Sequence, residues 1–106
     1  DDDLYMDLTV PFTKAALGGD VHVKTLKETV EMKIPAGTQG GKMFRLKGQG
    51  MPSVHHGTHG DLYVRVMIEV PTSLSSKQRE LLEELAKEFG ESVKGSFKDR
   101  IKKAFK

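Results

Sequence analysis

Cysteine and tryptophan are both absent from this chain of 106 residues. Without cysteine there can be no disulfide framework, thiolate metal site or cysteine nucleophile, which fits a reducing compartment. No apolar run exceeds three residues, so the sequence offers neither a membrane-spanning helix nor the core of a signal peptide. Because the chain starts with Asp1 rather than methionine, we expect it to be a piece of a longer protein.

The composition and the patterning of the first two thirds indicate one small, mainly β globular domain. The chain is 37% apolar and 30% charged, and its apolar residues alternate with polar ones at the period of a β-strand. This pattern predicts strands at 4–10, 21–23, 30–34, 43–47 and 62–70, paired mostly in antiparallel fashion. Residues 12–17, followed by Gly18, predict a helix of one or two turns.

The last third changes to helical spacing. Ser75 and Gln78 form a capping-box pattern, and Gly90 stands where a left-handed helix end belongs. An apolar stripe runs between them through Leu81, Leu85 and Phe89. A second capping pattern at 96–99 opens another predicted helix, whose apolar face is Phe97, Ile101, Ala104 and Phe105.

The second of these helices, at 96–105, is too short to be stable alone. An isolated helix becomes even marginally stable in water only at about 12–15 residues. Its apolar face therefore needs a surface to cover it. That surface belongs either to its own domain or to another copy of the chain.

Three histidines in the glycine-rich segment 47–60 raise the possibility of a metal-dependent hydrolase. His55, His56 and His59 have few potential co-ligands nearby in the sequence, and polar loop residues are the plainer interpretation. His22 alternates with valines and is predicted to face solvent. The glycines of 36–42 do not form a phosphate-binding loop, because a strand rather than a helix follows them.

The basic end of the chain raises a second alternative, a small nucleic-acid-binding module. Residues 92–106 carry six bases and one acid, and such a tail would bind with strong salt dependence. Few aromatic residues accompany these bases, which argues against stacking on bases of nucleic acid. A solvated helix face explains the same charges.

Four stretches of the sequence together carry a resemblance to a known family. They are VPFTKAALGGDVHVKTL at 10–26, IPAGTQGGKMFRLKGQGMP at 34–52, GDLYVRVMIEVPTSLSSKQRELLEEL at 60–85 and SFKDRIKKAF at 96–105. In this order, and over nearly the whole chain, they resemble the second C-terminal domain of the bacterial DnaJ family of J-domain co-chaperones.

This resemblance implies a fold and a domain organisation. The expected fold is mainly β with C-terminal helices: a small two-sheet β-sandwich-like domain with one short helix, followed by a helical dimerisation tail. The client-binding domain would span 1–90, a linker 91–95 and the dimerisation helix 96–106. The dimer contacts implied are Phe97, Ile101, Ala104 and Phe105. The surface on which they pack would be completed by Leu81, Leu85 and Phe89.

The resemblance also implies a function. The chain would be a non-enzymatic, cytoplasmic co-chaperone fragment that forms a homodimer, binds unfolded polypeptide clients and assists a DnaK-type chaperone as part of the full-length protein. The sequence has no His-Pro-Asp tripeptide and no CxxCxGxG repeat, so neither stimulation of ATP hydrolysis nor zinc binding is expected, and no cofactor is implied.

The expected mechanism is capture of an extended client segment at a sheet edge or a shallow apolar groove. Main-chain hydrogen bonds would supply affinity, and pockets would take apolar side chains. Methionines suit surfaces that accept varied partners, although they also fill gaps in cores. The groove residues predicted from the sequence are Leu26, Met32, Ile34, Phe44 and Leu46, each of which could instead belong to the core.

Overall fold

The computed structural model describes residues 2–54 and 57–90. It divides the chain into two compact units, Asp1–Val70 and Pro71–Lys106. The elements are, in chain order, β1 (Leu4–Pro11), α1 (Phe12–Leu17), β2 (Gly19–Lys24), β3 (Thr29–Ile34), β4 (Met43–Leu46), β5 (Leu62–Glu69) and α2 (Ser76–Glu88). The prediction of a mainly β fold in two sheets with one short helix is confirmed, and the predicted helix at 96–105 lies outside the described residues.

The strands of the first unit form a three-stranded sheet in the order β1–β5–β4 and a two-stranded sheet of β2 and β3. The pairs β2–β3 and β4–β5 are antiparallel, as expected. The longest pairing, β1 with β5, is parallel and aligns Leu4 with Leu62. Alternation within a strand carries no information about the direction of its neighbour, so only the tertiary structure shows this parallel pair.

One apolar core draws on both sheets and on α1. In β1 and β5 the alternation places every second side chain inward, as the period of a strand requires. The fully buried members are Val10, Ala15, Val23, Met32, Ile34, Leu62, Val64 and Val66. Half-buried side chains pack around them: Leu4, Met6, Leu8, Val21, Phe44, Leu46 and Ile68.

The short helix α1 is held by the turn that follows β3. The backbone amide of Gly37 donates to the carbonyl of Ala15 at 2.9 Å, and the amide of Thr38 donates to the same carbonyl at 3.0 Å. Gly18 ends the helix at φ 80°, and a Cβ there would lie 2.8 Å from the backbone nitrogen of Ala36. Only glycine fits this junction, because both the backbone angle and the close approach exclude a side chain.

In the second unit, α2 begins with the predicted capping box. The amide of Gln78 donates to Ser75 Oγ at 3.1 Å, and the amide of Ser75 donates to Gln78 Oε1 at 2.8 Å. Gly90 follows the helix at φ 77°. Leu81 and Leu85 are exposed on α2, and Phe89, the residue that caps its end, is exposed as well.

Candidate functional site

A shallow groove lies in the first unit between β1 and the turn that joins β2 to β3. Its volume is about 230 Å³, below the roughly 300–1,000 Å³ of pockets that enclose small molecules. This size suits one apolar side chain of a larger ligand. The groove is lined by Leu4, Tyr5, Met6, Lys24, Thr25, Leu26, Gln49 and Leu62.

The groove combines an apolar floor with an exposed apolar wall. Leu62 is buried, and Leu4 and Met6 are half-buried because they face inward from β1. Leu26 stands in the turn with 68% of its surface exposed. An apolar side chain that entered the groove would therefore be covered on several sides, and it would also bury Leu26.

Two strands that contribute residues to the groove, β1 and β2, each have one edge without a strand partner among the described residues. Among residues 2–54 and 57–90, β1 pairs with β5 alone and β2 pairs with β3 alone. Each strand therefore keeps one edge whose backbone groups can pair with an added chain. An extended peptide could place a side chain in the groove and pair its backbone with an edge beside it.

Of the five groove residues predicted from the sequence, only Leu26 lines this groove. Met32 and Ile34 belong to the core, with 5% and 1% of their surface exposed, because the inward face of β3 is covered by the opposite sheet. Phe44 and Leu46 lie half-buried on β4, packed against the core.

Most residues of the groove carry no local signal in the sequence. Alternation does place Leu4 and Met6 on one face of β1, but nothing local shows that this face meets the β2–β3 turn. Gln49 gives no signal either, since it stands between two glycines in a segment without periodicity.

A second depression, of about 380 Å³, lies on the outer face of the three-stranded sheet. There the rings of Tyr5 and Tyr63 stack with centroids 5.1 Å apart. Arg65 donates to both carboxylate oxygens of Asp7, at 2.9 and 3.0 Å. These hydrogen bonds lower the pKa of Asp7 below its ordinary value.

Asp61 anchors the glycine-rich segment 47–60 to the rest of the unit. Its carboxylate accepts from the amide of Gly48 at 2.8 Å and from Arg45 at 2.6 Å. These two contacts, the backbone amide first, lower the pKa of Asp61. The amide of Met51 donates to the carbonyl of Asp2 at 2.7 Å, which ties the segment to the start of β1.

The structure assembles no metal centre within the part of the chain it describes. His59 forms an isolated bridge with Pro52, and His55 and His56 lie outside the described residues. Within 2–54 and 57–90, no three histidine, aspartate or glutamate side chains come close enough to hold an ion. His22 is exposed, as predicted.

Of the seven predicted dimer contacts, three lie among the described residues and four lie outside them. Leu81 and Leu85 are exposed on α2, and the C-cap residue Phe89 is 73% exposed. The other four, Phe97, Ile101, Ala104 and Phe105, lie outside the described residues. Dimerisation therefore stays a prediction.

Both units match models of known protein families. Residues 1–71 match the family model of the DnaJ C terminal domain. The chain belongs to the DnaJ family. Residues 77–106 match a second model, described as the chaperone protein DnaJ C-terminal region. This confirms the resemblance that the four sequence stretches indicated.

Curated relatives in the DnaJ family match over almost the whole chain. The chain is 47% identical to the chaperone protein DnaJ of Staphylococcus epidermidis strain ATCC 12228, and 46% identical to that of Staphylococcus aureus strain Mu50. In each case 99% of this chain is aligned. The chain spans 29% and 28% of the length of these two relatives.

The helices of the described residues are too short or too polar to cross a membrane. The longest of them, α2, has 13 residues, whereas a membrane-spanning helix needs about 20.

Proposed function

We propose that this chain is the client-binding and dimerising C-terminal part of a DnaJ co-chaperone that assists a DnaK-type chaperone in protein folding. It carries no catalytic step and no cofactor, and it acts in the cytoplasm. Its clients are unfolded polypeptides, which expose apolar side chains and unpaired backbone groups.

The groove beside β1 is the observation that carries this proposal. It offers an apolar floor at Leu4, Met6 and Leu62, an exposed wall at Leu26 and open strand edges. An unfolded segment has both of the features that such a site accepts. Phe44 and Leu46 lie on β4, which pairs with β5 rather than with β1, and their contribution to client binding stays a prediction.

The size of the groove makes a single contact weak. Burial of one large apolar side chain yields about 1.5–3 kcal/mol, whereas a millimolar dissociation constant already requires about 4.1 kcal/mol. Two grooves on one dimer raise the effective concentration of each site without any new contact. Weak capture by each copy therefore explains why a dimer would be useful.

We assign the dimer contact to the helical tail at 96–106, packed on the apolar stripe that runs along α2 to its C-cap. The stripe is Leu81, Leu85 and Phe89, and the tail supplies Phe97, Ile101, Ala104 and Phe105. The division of the chain into 1–90, 91–95 and 96–106 belongs to this proposal. Light scattering on the whole chain should give a dimer, and a chain ending at Gly90 should give a monomer. Two monomers at tens of micromolar would contradict the proposal.

A charged substitution at Leu26 tests the groove. In the whole chain, Leu26→Asp should weaken binding of a short fluorescent peptide of alternating leucine and threonine, because a carboxylate replaces the apolar wall. Leu26 is exposed, so the domain should still fold. The measurement is fluorescence anisotropy at two salt concentrations.

Leu17→Asp is the matched control, since Leu17 on α1 is 80% exposed and lines a different depression. It should bind the peptide like the unchanged chain. Equal binding by Leu26→Asp would remove the groove from the proposal. Binding of duplex DNA that falls steeply with salt, with no binding of the peptide, would favour the nucleic-acid alternative instead.

A further inference from the structure

The side chain of Gln49 links the segment after β4 to the turn between β2 and β3. Its Nε2 donates to Glu28 Oε2 at 2.8 Å, and its Oε1 lies 2.7 Å from Thr25 Oγ1, whose one hydrogen is shared between this oxygen and the carbonyl of Glu28 at 2.8 Å. A carboxylate at neutral pH only accepts hydrogen bonds, so the amide nitrogen must face Glu28 and the amide oxygen must face Thr25. Both ends of the amide are therefore used.

The turn that Gln49 holds is closed on itself. The amides of Lys27 and Glu28 donate to Thr25 Oγ1 at 3.2 and 3.0 Å, and the amide of Thr25 donates to the carbonyl of Glu28 at 2.8 Å. Leu26 stands at the exposed side of this closed turn. Among the described residues, the hydrogen bonds that connect residues 25–28 to anything beyond the β2–β3 hairpin all involve the side chain of Gln49.

The backbone on both sides of Gln49 is held by hydrogen bonds. The amide of Gly48 donates to the Asp61 carboxylate at 2.8 Å, and the amide of Gly50 donates to the carbonyl of Gly60 at 2.8 Å. A Cβ at position 50 would lie 2.6 Å from the carbonyl oxygen of Asp61, so this packing admits only glycine. Because the backbone on both sides of Gln49 is held, the length of the Gln49 side chain fixes the distance between this segment and the β2–β3 turn.

We propose that Gln49 is a positioning residue of the groove: it holds the β2–β3 turn at the spacing from β1 at which Leu26 walls the apolar floor. This inference rests on the proposed function of the groove. Gln49 does not need to contact a client, since it acts through the turn. Loss of its hydrogen bonds should leave the floor unchanged and let the wall move.

The test exchanges the two partners in the whole chain. Gln49→Glu places a second carboxylate against Glu28, and the two charges should push the turn away. Glu28→Gln leaves an amide that can still bond Gln49. The double variant Gln49→Glu with Glu28→Gln restores a carboxylate–amide pair in the reverse sense, and the new carboxylate at position 49 can still accept from Thr25.

We expect Gln49→Glu to bind the leucine–threonine peptide about three- to tenfold more weakly, the range that one hydrogen bond is worth in an affinity. Glu28→Gln and the double variant should bind within about twofold of the unchanged chain. Backbone amide exchange at Lys27 and Glu28 should be faster in Gln49→Glu alone, while exchange at Val64 in the core stays unchanged. These amide rates report on the turn without any peptide.

The outcomes separate the two proposals. If Gln49→Glu binds the peptide normally and Leu26→Asp does not, the groove stands and Gln49 has no positioning role. A double variant as weak as Gln49→Glu would also overturn that role, because the restored pair should restore the wall. An unchanged chain that fails to bind the peptide overturns both proposals.

Discussion

Ile34 and Leu26 were both groove residues in the prediction from sequence, and the structure gives them opposite environments. Ile34 is 1% exposed and Leu26 is 68% exposed. Truncation of each to alanine should therefore separate a loss of stability from a loss of binding.

For Ile34→Ala the change removes three carbon atoms from the core. At about 0.8 kcal/mol for each buried methylene the transfer contribution is about 2.4 kcal/mol. The cavity left among the other members of the core cluster raises the total to about 3–4 kcal/mol, inside the range of about 2–5 kcal/mol typical of such truncations. For a domain of this size the midpoint of thermal unfolding should fall by roughly 15–25 °C.

For Leu26→Ala the expected pattern is the reverse. Unfolding free energy should change by less than about 0.5 kcal/mol, as for exposed positions in general. Because about two thirds of the side chain is free to be buried by a ligand, the lost binding energy is about 1–2 kcal/mol, or roughly a five- to thirtyfold weaker affinity.

The assays are urea unfolding followed by far-ultraviolet circular dichroism, since the chain has no tryptophan, and peptide anisotropy at a temperature where both variants are folded. Ile34→Ala should keep its affinity within about twofold. Ile34 would not be a core residue as described if Ile34→Ala lowered the unfolding free energy by less than about 1 kcal/mol, or if it lost peptide binding while its stability was unchanged.

Two further predictions concern the backbone and the pH dependence of the first unit. Gly18→Ala should cost about 1–3 kcal/mol through its φ of 80° alone, plus the clash with Ala36. Gly37→Ala has a similar φ of 82° and open space around its Cβ, so urea unfolding should show it to be the milder change; equal costs would show that the clash adds nothing. The pKa of Asp61 is lower in the folded protein than in the unfolded chain, where it is about 3.9. The contribution of Asp61 to the free energy of unfolding is therefore fully present above that unfolded pKa and is lost as the pH falls through the folded pKa. In acid unfolding below about pH 4, Asp61→Asn should therefore lose less stability than the unchanged chain, and parallel curves for the two would contradict this.

The sequence alone was enough to place the strands to within a few residues and both described helices with their ends. Alternation marked the inward face of β1 and β5 because one face of each strand is covered, and the capping box at Ser75 marked the start of α2 because it depends only on neighbouring residues. Gly18 and Gly90 were recognised for the same local reason. The family also followed from the sequence, since four ordered stretches carried it.

Which apolar side chains form the core and which form the groove depends on contacts between segments that are distant in the sequence. Met32, Ile34 and Leu26 are alike in hydrophobicity, and their exposure depends on which elements cover them. The parallel pairing of β1 with β5 and the reach of Gln49 to Thr25 and Glu28 join residues far apart along the chain. No local pattern encodes such contacts, because they arise only when the chain has folded and distant segments have become neighbours.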